Sequence, residues 1–219
     1  MAPVVGYTNV RGLAQCIRNL LVYKGVQFED KQYKLGPAPA YEKTEWLKEK
    51  HCLGLKFPNL PYYSDGEVNM TQSVAIMRYL GRKHDLAPKG AEETALLDML
   101  EQQANDLMWG LIVAAMSPSG SDGRRMHEAN LTQALKCWDE HLTTHKWAAG
   151  DRLTYVDFIL YEGLDWNREY KQEAFCNFPA VQRYLRDFEA LPKIKEYFAS
   201  PKYIKWPILS PIFHWGFKK

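Results

Sequence analysis

The sequence predicts two unlike parts in one chain, a mixed α/β unit followed by an all-α unit. Three observations carry this. Residues 1–84 alternate between short β-branched or aromatic runs and apolar residues at helical spacing. Beyond residue 90 the strand signals stop and the apolar stripes keep the helical period. Between the two, residues 85–90 hold Pro88 and Gly90 and read as a linker. With 219 residues, 46% hydrophobic and 25% charged, the composition is that of a globular protein and not of a disordered chain.

In chain order, residues 4–8 (VVGYT) are β-branched and aromatic and suit a strand. Leu13, Ile17, Leu20 and Leu21 recur at helical spacing, and Gly25 stops that helix. Residues 26–35 return to a strand-like mixture, and Gly36-Pro37-Ala38-Pro39 reads as a loop. Residues 41–50 read as a charged helix carrying Tyr41, Trp46 and Leu47. Residues 60–64 and 68–70 read as strands joined at Asp65-Gly66, a two-residue hairpin signal. Val74, Met77 and Leu80 give a helix to about Lys83. The order βαβαββα, a parallel βαβ unit then a hairpin and a closing helix, is the layout of a thioredoxin-like domain.

In the second part, residues 91–116 read as one long helix, broken by Ser117-Pro118-Ser119-Gly120-Ser121. Met126, Leu131, Leu135, Trp138 and Leu142 make the next apolar stripe. Thr154 and Asp157 have the spacing of a reciprocal capping box ahead of an apolar helix, with Leu153 and Phe158 at the two staple positions. Phe178-Pro179 and Leu191-Pro192 open two further helices. The tail, with Pro201, Pro207 and Pro211, is irregular but packed through Trp206, Phe213 and Trp215.

Composition also excludes several classes. Cys16, Cys52, Cys137 and Cys176 form neither CxxC nor zinc-finger spacing, which argues against a disulfide scaffold, a structural zinc and a redox dithiol. Cys16 reads as a small buried hydrophobe. His141 and His145 lie one helical turn apart without a third ligand, so no metal site is expected. The longest purely apolar run, residues 111–116, is far short of a membrane span, and the N-terminus lacks a signal peptide's apolar core. A cytoplasmic protein with reduced thiols and no membrane contact is expected. A net charge of +2 argues against nucleic acid as a partner. Residues 1–84 nevertheless carry 12 Lys and Arg against 7 Asp and Glu, whereas residues 85–219 carry 16 against 19. That asymmetry reads either as solvated charged faces or as a first part that receives an anionic ligand.

Specific motifs sharpen this. Gly6-Tyr7 precedes Val10-Arg11-Gly12-Leu13; Lys34-Leu35-Gly36-Pro37-Ala38-Pro39 follows; then come Trp46-Leu47 with Glu49-Lys50, Leu53-Gly54-Leu55 with Phe57-Pro58-Asn59-Leu60-Pro61-Tyr62, Thr71-Gln72-Ser73, and Ala149-Gly150-Asp151 leading into Thr154-Tyr155-Val156-Asp157-Phe158. In this order and spacing, over essentially the whole chain, they resemble a cytosolic glutathione S-transferase, and within that family the mu class, which the loop around residues 36–40 marks. The resemblance implies a glutathione-binding domain over residues 1–84. It also implies an all-helical domain over residues 91–219 that contributes a hydrophobic electrophile pocket and dimer contacts. Glutathione is then a co-substrate, and no cofactor is implied.

Glutathione is an anionic tripeptide whose thiol, with a pKa of about 8.5, is only a few per cent ionised at pH 7. A phenol aimed at the sulfur favours the thiolate by hydrogen-bonding the charged form. On residue type alone Tyr7 is a core or interface tyrosine; the resemblance makes it the catalytic one. The resemblance implies a cis Pro61 that presents the Leu60 main chain, beside Asn59, to the cysteinyl unit. It assigns Gln72 and Ser73, at a helix N-terminus, to the γ-glutamyl carboxylate. Trp46 and Lys50 lie four apart and share a helix face; the resemblance places both, with Lys43, around the glycyl carboxylate. Asp106 reaches the γ-glutamyl amine of a partner's ligand; alone it would be a surface acid. The resemblance also implies an electrophile pocket that includes Leu13, Leu111 and Met116, and makes Phe57 the aromatic key of a homodimer.

Three positions depart from the pattern. Thr8 stands where tryptophan is usual, Lys43 where arginine is usual, and Met116 where a tyrosine often assists the electrophile. The first two change how the glycyl carboxylate would be held, a point charge replacing a planar fork at Lys43. The third removes a phenol from the electrophile side and leaves an adaptable apolar wall. Conjugation of small apolar electrophiles is the expected activity. Two alternatives stay open: a non-catalytic carrier of apolar ligands on the same scaffold, and isomerase or peroxidase chemistry with glutathione.

Overall fold

The computed structural model describes residues 2–218. The β-branched Val4–Thr8 segment forms β1, at the centre of the mixed sheet. A 3-10 turn, Gly12–Ala14, leads into α1, Gln15–Lys24, and Gly25 ends it in the left-handed region at φ 71°. Strand β2, Glu29–Tyr33, pairs parallel with β1. Helix α2, Thr44–Glu49, is followed by β3, Tyr62–Ser64, and β4, Asn69–Thr71, both antiparallel additions. The sheet order is β2-β1-β3-β4, and α3, Ser73–Lys83, closes the unit.

Three strand and helix expectations are corrected in detail. Strand β2 is shorter than the 26–35 segment, and α2 starts at Thr44 and not at residue 41. The hairpin loop holds four residues, because Ser64 pairs with Asn69. The Asp65 carboxylate accepts the N–H groups of both Glu67 and Val68, and this side-chain turn replaces a two-residue one.

The remaining helices are α4, Gly90–Ala115; α5, Asp122–Thr144; α6, Tyr155–Tyr170; α7, Pro179–Glu189; and α8, Pro192–Phe198. The buried face of α5 runs through His127, Leu131, Leu135, Trp138 and Leu142, whereas Met126 is 66% exposed. Four-residue steps back from Leu135 land on His127, one position and about 100° from Met126. His127 tolerates burial because its ring hydrogen-bonds the Asn167 amide at 2.9 Å.

Helix α6 is buried from Tyr155 to Asn167 without a gap and packs on α1, α3, α4 and α7. A helix buried on every side belongs at the centre of a molecule, and the Asp157, Glu162, Asp165 and Asn167 side chains buried with it are all paired. Its N-terminus is set by the expected capping box: the Thr154 N–H donates to Asp157 Oδ2 at 2.8 Å. Asp157 also receives the Ala148 N–H at 2.7 Å, so the box ties a preceding turn to the helix. Leu153 and Phe158 are both buried in the same core, as a staple requires.

One ionic cluster joins the sheet to this central helix. Arg11, directly after β1, is fully buried, with Nε 2.8 Å from Glu162 Oε2 and Nη1 2.7 Å from Asp165 Oδ2, both on α6. Asn19 on α1 and the Trp166 indole donate to the same Glu162 carboxylate, each at 2.8 Å. The tail adds main-chain ties: the Arg11 N–H reaches Pro207 O at 2.8 Å and the Gly12 N–H reaches Ile208 O at 3.0 Å. A guanidinium placed there is tolerable only because it is paired and hydrogen-bonded.

Candidate active site

Tyr7 lies near the end of β1, where the chain leaves the sheet and turns back through Gly12 into α1. Gly12 has φ +42°, and a Cβ there would sit 2.4 Å from the Tyr7 ring and 2.7 Å from its hydroxyl oxygen. The position therefore needs glycine for its backbone angle and for its closeness to the phenol. One residue on, the Leu13 N–H donates to the Tyr7 oxygen at 3.3 Å. That bond uses an oxygen lone pair and leaves the phenol proton without an acceptor among the described residues. Burial pushes the Tyr7 pKa above its ordinary value, against the opposing pull of the Leu13 N–H and the Arg18 charge. The group is thus a neutral donor at physiological pH.

Tyr7 opens into a cleft of about 240 Å³ between the loops of the sheet, α4 and the tail. Of the residues expected at a site, Tyr7, Thr8, Leu13, Lys43, Trp46, Asn59, Leu60 and Met116 line it together. One end is polar, with Thr8, Lys43, Trp46 and Asn59. Trp46 is fixed there by rings: it stacks on Tyr62 at 6.1 Å and meets Tyr33 edge-on at 5.4 Å. Its indole N–H has no hydrogen-bond partner among the described residues, and Lys43 stands exposed at the N-cap of α2. An anion entering here meets one positive charge and one unused donor.

The Leu60–Pro61 bond is cis, as the resemblance implies. The Leu60 N–H is held at 2.9 Å by the exposed Asn59 side chain, an exchangeable partner. The Thr71 hydroxyl donates to Phe57 O at 3.0 Å and ties this loop to the start of α3. There Gln72 occupies the N-cap at φ 73°, Ser73 is the first helical residue, and no acidic side chain fills the first turn. Gln72, Ser73 and the half-buried Lys50 lie outside the cleft lining. So does Asp106, exposed on α4. Phe57 is 73% exposed.

One pocket expectation is corrected. Leu111 is fully buried in the core, and the cleft takes its neighbours Trp109, Ile112 and Met116. Those three recur at i, i+3 and i+7 and so share a helix face that Leu111 does not. That spacing around Met116 was the signal that could have found Trp109 and Ile112. The cleft also takes Val10, Leu35, Trp166 and the tail residues Leu209, Ser210, Ile212 and Phe213, none of which the sequence pattern assigns to the site.

The other reactive-looking groups are structural. Burial pushes the Cys16 thiol far above its ordinary pKa, so it is no nucleophile. All four cysteines are free. The His141 and His145 rings stack at 4.4 Å, with His141 Nε2 bonded to Ala148 O, and no cluster of three metal-binding side chains occurs among the described residues.

A four-stranded mixed sheet carrying an unspent phenol proton, joined across one cleft to a helical half, defines a two-part thioredoxin-like architecture. Residues 3–82 match the family described as glutathione S-transferase, N-terminal domain, and residues 111–201 match glutathione S-transferase, C-terminal domain. Glutathione S-transferase Mu 2 of Rattus norvegicus is 40% identical over 216 residues, 99% of each chain. A glutathione S-transferase of Dermatophagoides pteronyssinus is 42% identical over 195 residues, 89% of each. The crystal structure of the glutathione S-transferase Blo t 8 superposes with a TM-score of 0.89 at 35% identity, covering 97% of this chain and 99% of that one. The chain belongs to the glutathione S-transferase family.

The Gly12 geometry makes a direct prediction. Gly12→Ala should displace the Tyr7 ring and lower kcat with glutathione by roughly tenfold or more, the cost of about 1.4 kcal/mol of lost transition-state contact, while the far-ultraviolet dichroism stays that of a folded protein. A Gly12→Ala enzyme with wild-type turnover would contradict this placement of the phenol.

Proposed function

We propose that this chain conjugates glutathione to apolar electrophiles, with Tyr7 stabilising the thiolate. The observation that carries the reading is the Tyr7 phenol, held through its oxygen by the Leu13 N–H and keeping its proton for a ligand in the cleft. A hydrogen bond to the ionised sulfur lowers the thiol pKa, and two units of depression, about 2.7 kcal/mol, would leave the thiol mostly ionised at pH 7. The thiolate then forms the new carbon–sulfur bond, and proximity in the cleft supplies much of the remaining rate.

In this reading residues 1–84 bind glutathione and residues 91–219 supply the electrophile wall, with residues 85–90 between them. The Leu60 main chain, released from Asn59, pairs with the cysteinyl unit. The open N-terminus of α3 at Gln72 and Ser73 takes the γ-glutamyl carboxylate. Lys43, Trp46 and Lys50, beside Thr8, take the glycyl end. Leu13 and Met116 face the electrophile. A carrier of apolar ligands has no use for an unspent phenol proton beside a cationic end, which favours the transferase over that alternative. Isomerase or peroxidase chemistry would use the same thiolate. No cofactor beyond glutathione is needed. No helix among the described residues is long and apolar enough to cross a membrane, which is compatible with a cytoplasmic enzyme.

Replacing Tyr7 by Phe should raise the pKa of the bound thiol by about 1–2 units and cut kcat/KM at pH 6.5 by roughly tenfold or more. Because the Tyr7 pKa lies above its ordinary value, the phenol stays protonated as pH rises. The wild-type rate should therefore climb as the thiol ionises and then hold level to about pH 9, below the ordinary tyrosine pKa. Full turnover and an unchanged bound-thiol pKa in Tyr7→Phe would sink the reading.

A homodimer belongs to the same proposal, with Phe57 inserting into the helical half of a partner and Asp106 reaching the partner's γ-glutamyl amine. Phe57→Ala should loosen it, read as a shift towards monomer in sedimentation velocity at low protein concentration. An identical profile for variant and wild type would remove Phe57 from that role.

A further inference from the structure

A second cavity, of about 830 Å³, lies between the end of α1 with β2 on one side and α8 with the following tail on the other. It shares no residue with the cleft at Tyr7, and neither Phe57 nor Asp106 lines it. Its size falls within the roughly 300–1,000 Å³ of small-molecule sites, and it sits where the two halves of the chain meet, a common place for one.

Part of its wall is apolar without a structural reason. Val26 and Phe28, between α1 and β2, pack on the main core. Val22 on α1 and Ile204 in the tail are half-buried, line the cavity, and are not packed on that core. Such a surface gains from the apolar body of a ligand.

The charged groups around it are unevenly spent. The Asp30 carboxylate is held by Arg18 at 2.9 Å and by the Gln32 amide at 2.7 Å. The Lys193 and Lys202 ammonium groups, by contrast, have no ion-pair or hydrogen-bond partner among the described residues. Lys193 reaches from α8 to the end of α1, its Nζ 2.7 Å from the place a Gly25 Cβ would take. A cation is favoured there by the helix dipole. Glu196 is the one acid of this rim without a partner, and residues 193–205 set four lysines against it, of which Lys205 is taken by Glu169 at 3.2 Å. The balance is positive. Tyr197, also in the wall, adds a donor: its oxygen accepts Gln15 Nε2 at 3.1 Å, and its phenol proton has no acceptor among the described residues.

We propose that this cavity is a second ligand site, for amphipathic organic anions: an apolar body lies on Val22, Val26, Phe28 and Ile204, and a carboxylate or sulfonate head meets Lys193 and Lys202. The site stands independently of the transferase reading.

Fluorescence titration with 8-anilinonaphthalene-1-sulfonate, with saturating S-hexylglutathione to fill the cleft, tests it on wild type, Lys193→Gln/Lys202→Gln, Ile204→Asp and Lys195→Gln. Wild type should bind the probe, and dodecanoate should displace it. The double lysine variant should bind roughly tenfold more weakly, the range of two exposed ion pairs, and should lose most of the salt dependence of the affinity. Ile204→Asp should weaken binding at least as much, because it sets a carboxylate on the apolar floor at a position outside the core. Lys195 does not line the cavity, so Lys195→Gln should bind as wild type does. No probe bound to wild type with the cleft filled, an unchanged affinity in either cavity variant, an equal loss in Lys195→Gln, or no displacement by dodecanoate would overturn the site. Retention of wild type on immobilised glutathione is read separately: its failure would sink the transferase reading and leave the lysine comparison standing.

Discussion

The structure depends on a cation that the fold has buried completely. Arg11, three residues past the end of β1, meets Glu162 and Asp165 on the most buried helix of the molecule. Stripped of water, such a group is tolerable only with its partners in place, and breaking a buried pair typically costs about 3–5 kcal/mol. The cluster balances itself further out. Burial pushes the Glu162 pKa up. For Asp165 burial acts the same way, but the Arg11 and Arg168 guanidiniums outweigh it and hold its pKa below the ordinary carboxylate range. Together with Asn19 on Glu162 and the Arg11 and Gly12 N–H groups on the tail, this cluster fixes the sheet and the helical half to each other.

The site follows from that anchor. With Arg11 held, the chain must turn at once, and Gly12 is the residue that can turn against the face of Tyr7. Leu13 then delivers its N–H to the phenol oxygen. Arg18, buried on α1, grips the same turn from the other side through the carbonyls of Val10 and Arg11, at 3.2 and 3.1 Å, and is itself aimed by Asp30 at 2.9 Å. Glu162 also holds the Trp166 indole, and Trp166 lines the cleft. One carboxylate on α6 thus touches the residue that sets the phenol loop and a residue of the opposing wall.

Much of this was legible in the sequence and some was not, for physical reasons. Local signals held where the forces are local: the β-branched run of β1, the glycine that ends α1, and the Thr154–Asp157 box that starts α6. The Asp65 loop escaped because a carboxylate that accepts two successive N–H groups builds a longer turn than the dipeptide suggests. Met126 took the place of His127 in the expected stripe because burial of an imidazole becomes cheap only with Asn167 opposite, 40 residues away. Arg11 and Arg18 look like surface residues until their partners are known, and Glu162 lies 151 residues from Arg11. The same distance hid the tail as a cleft wall. Tyr7, Lys43 and Trp46 gained meaning at the sequence level only through the family resemblance; the fold then gathers them around one cleft with Thr8, Asn59 and Leu60.

In the proposed mechanism the Arg11–Glu162 contact, itself outside the chemistry, sets the phenol that tunes the thiol. The pKa of glutathione bound to a Glu162→Gln variant, read from the ultraviolet absorbance of the thiolate across pH, tests it most directly. Gln keeps the shape and removes the charge, so the Arg11 loop loosens while the chain stays folded. The bound-thiol pKa should rise about half to one unit above that of the wild-type enzyme, up to about 1.4 kcal/mol of lost thiolate stabilisation. A folded Glu162→Gln enzyme with the wild-type thiol pKa would contradict it.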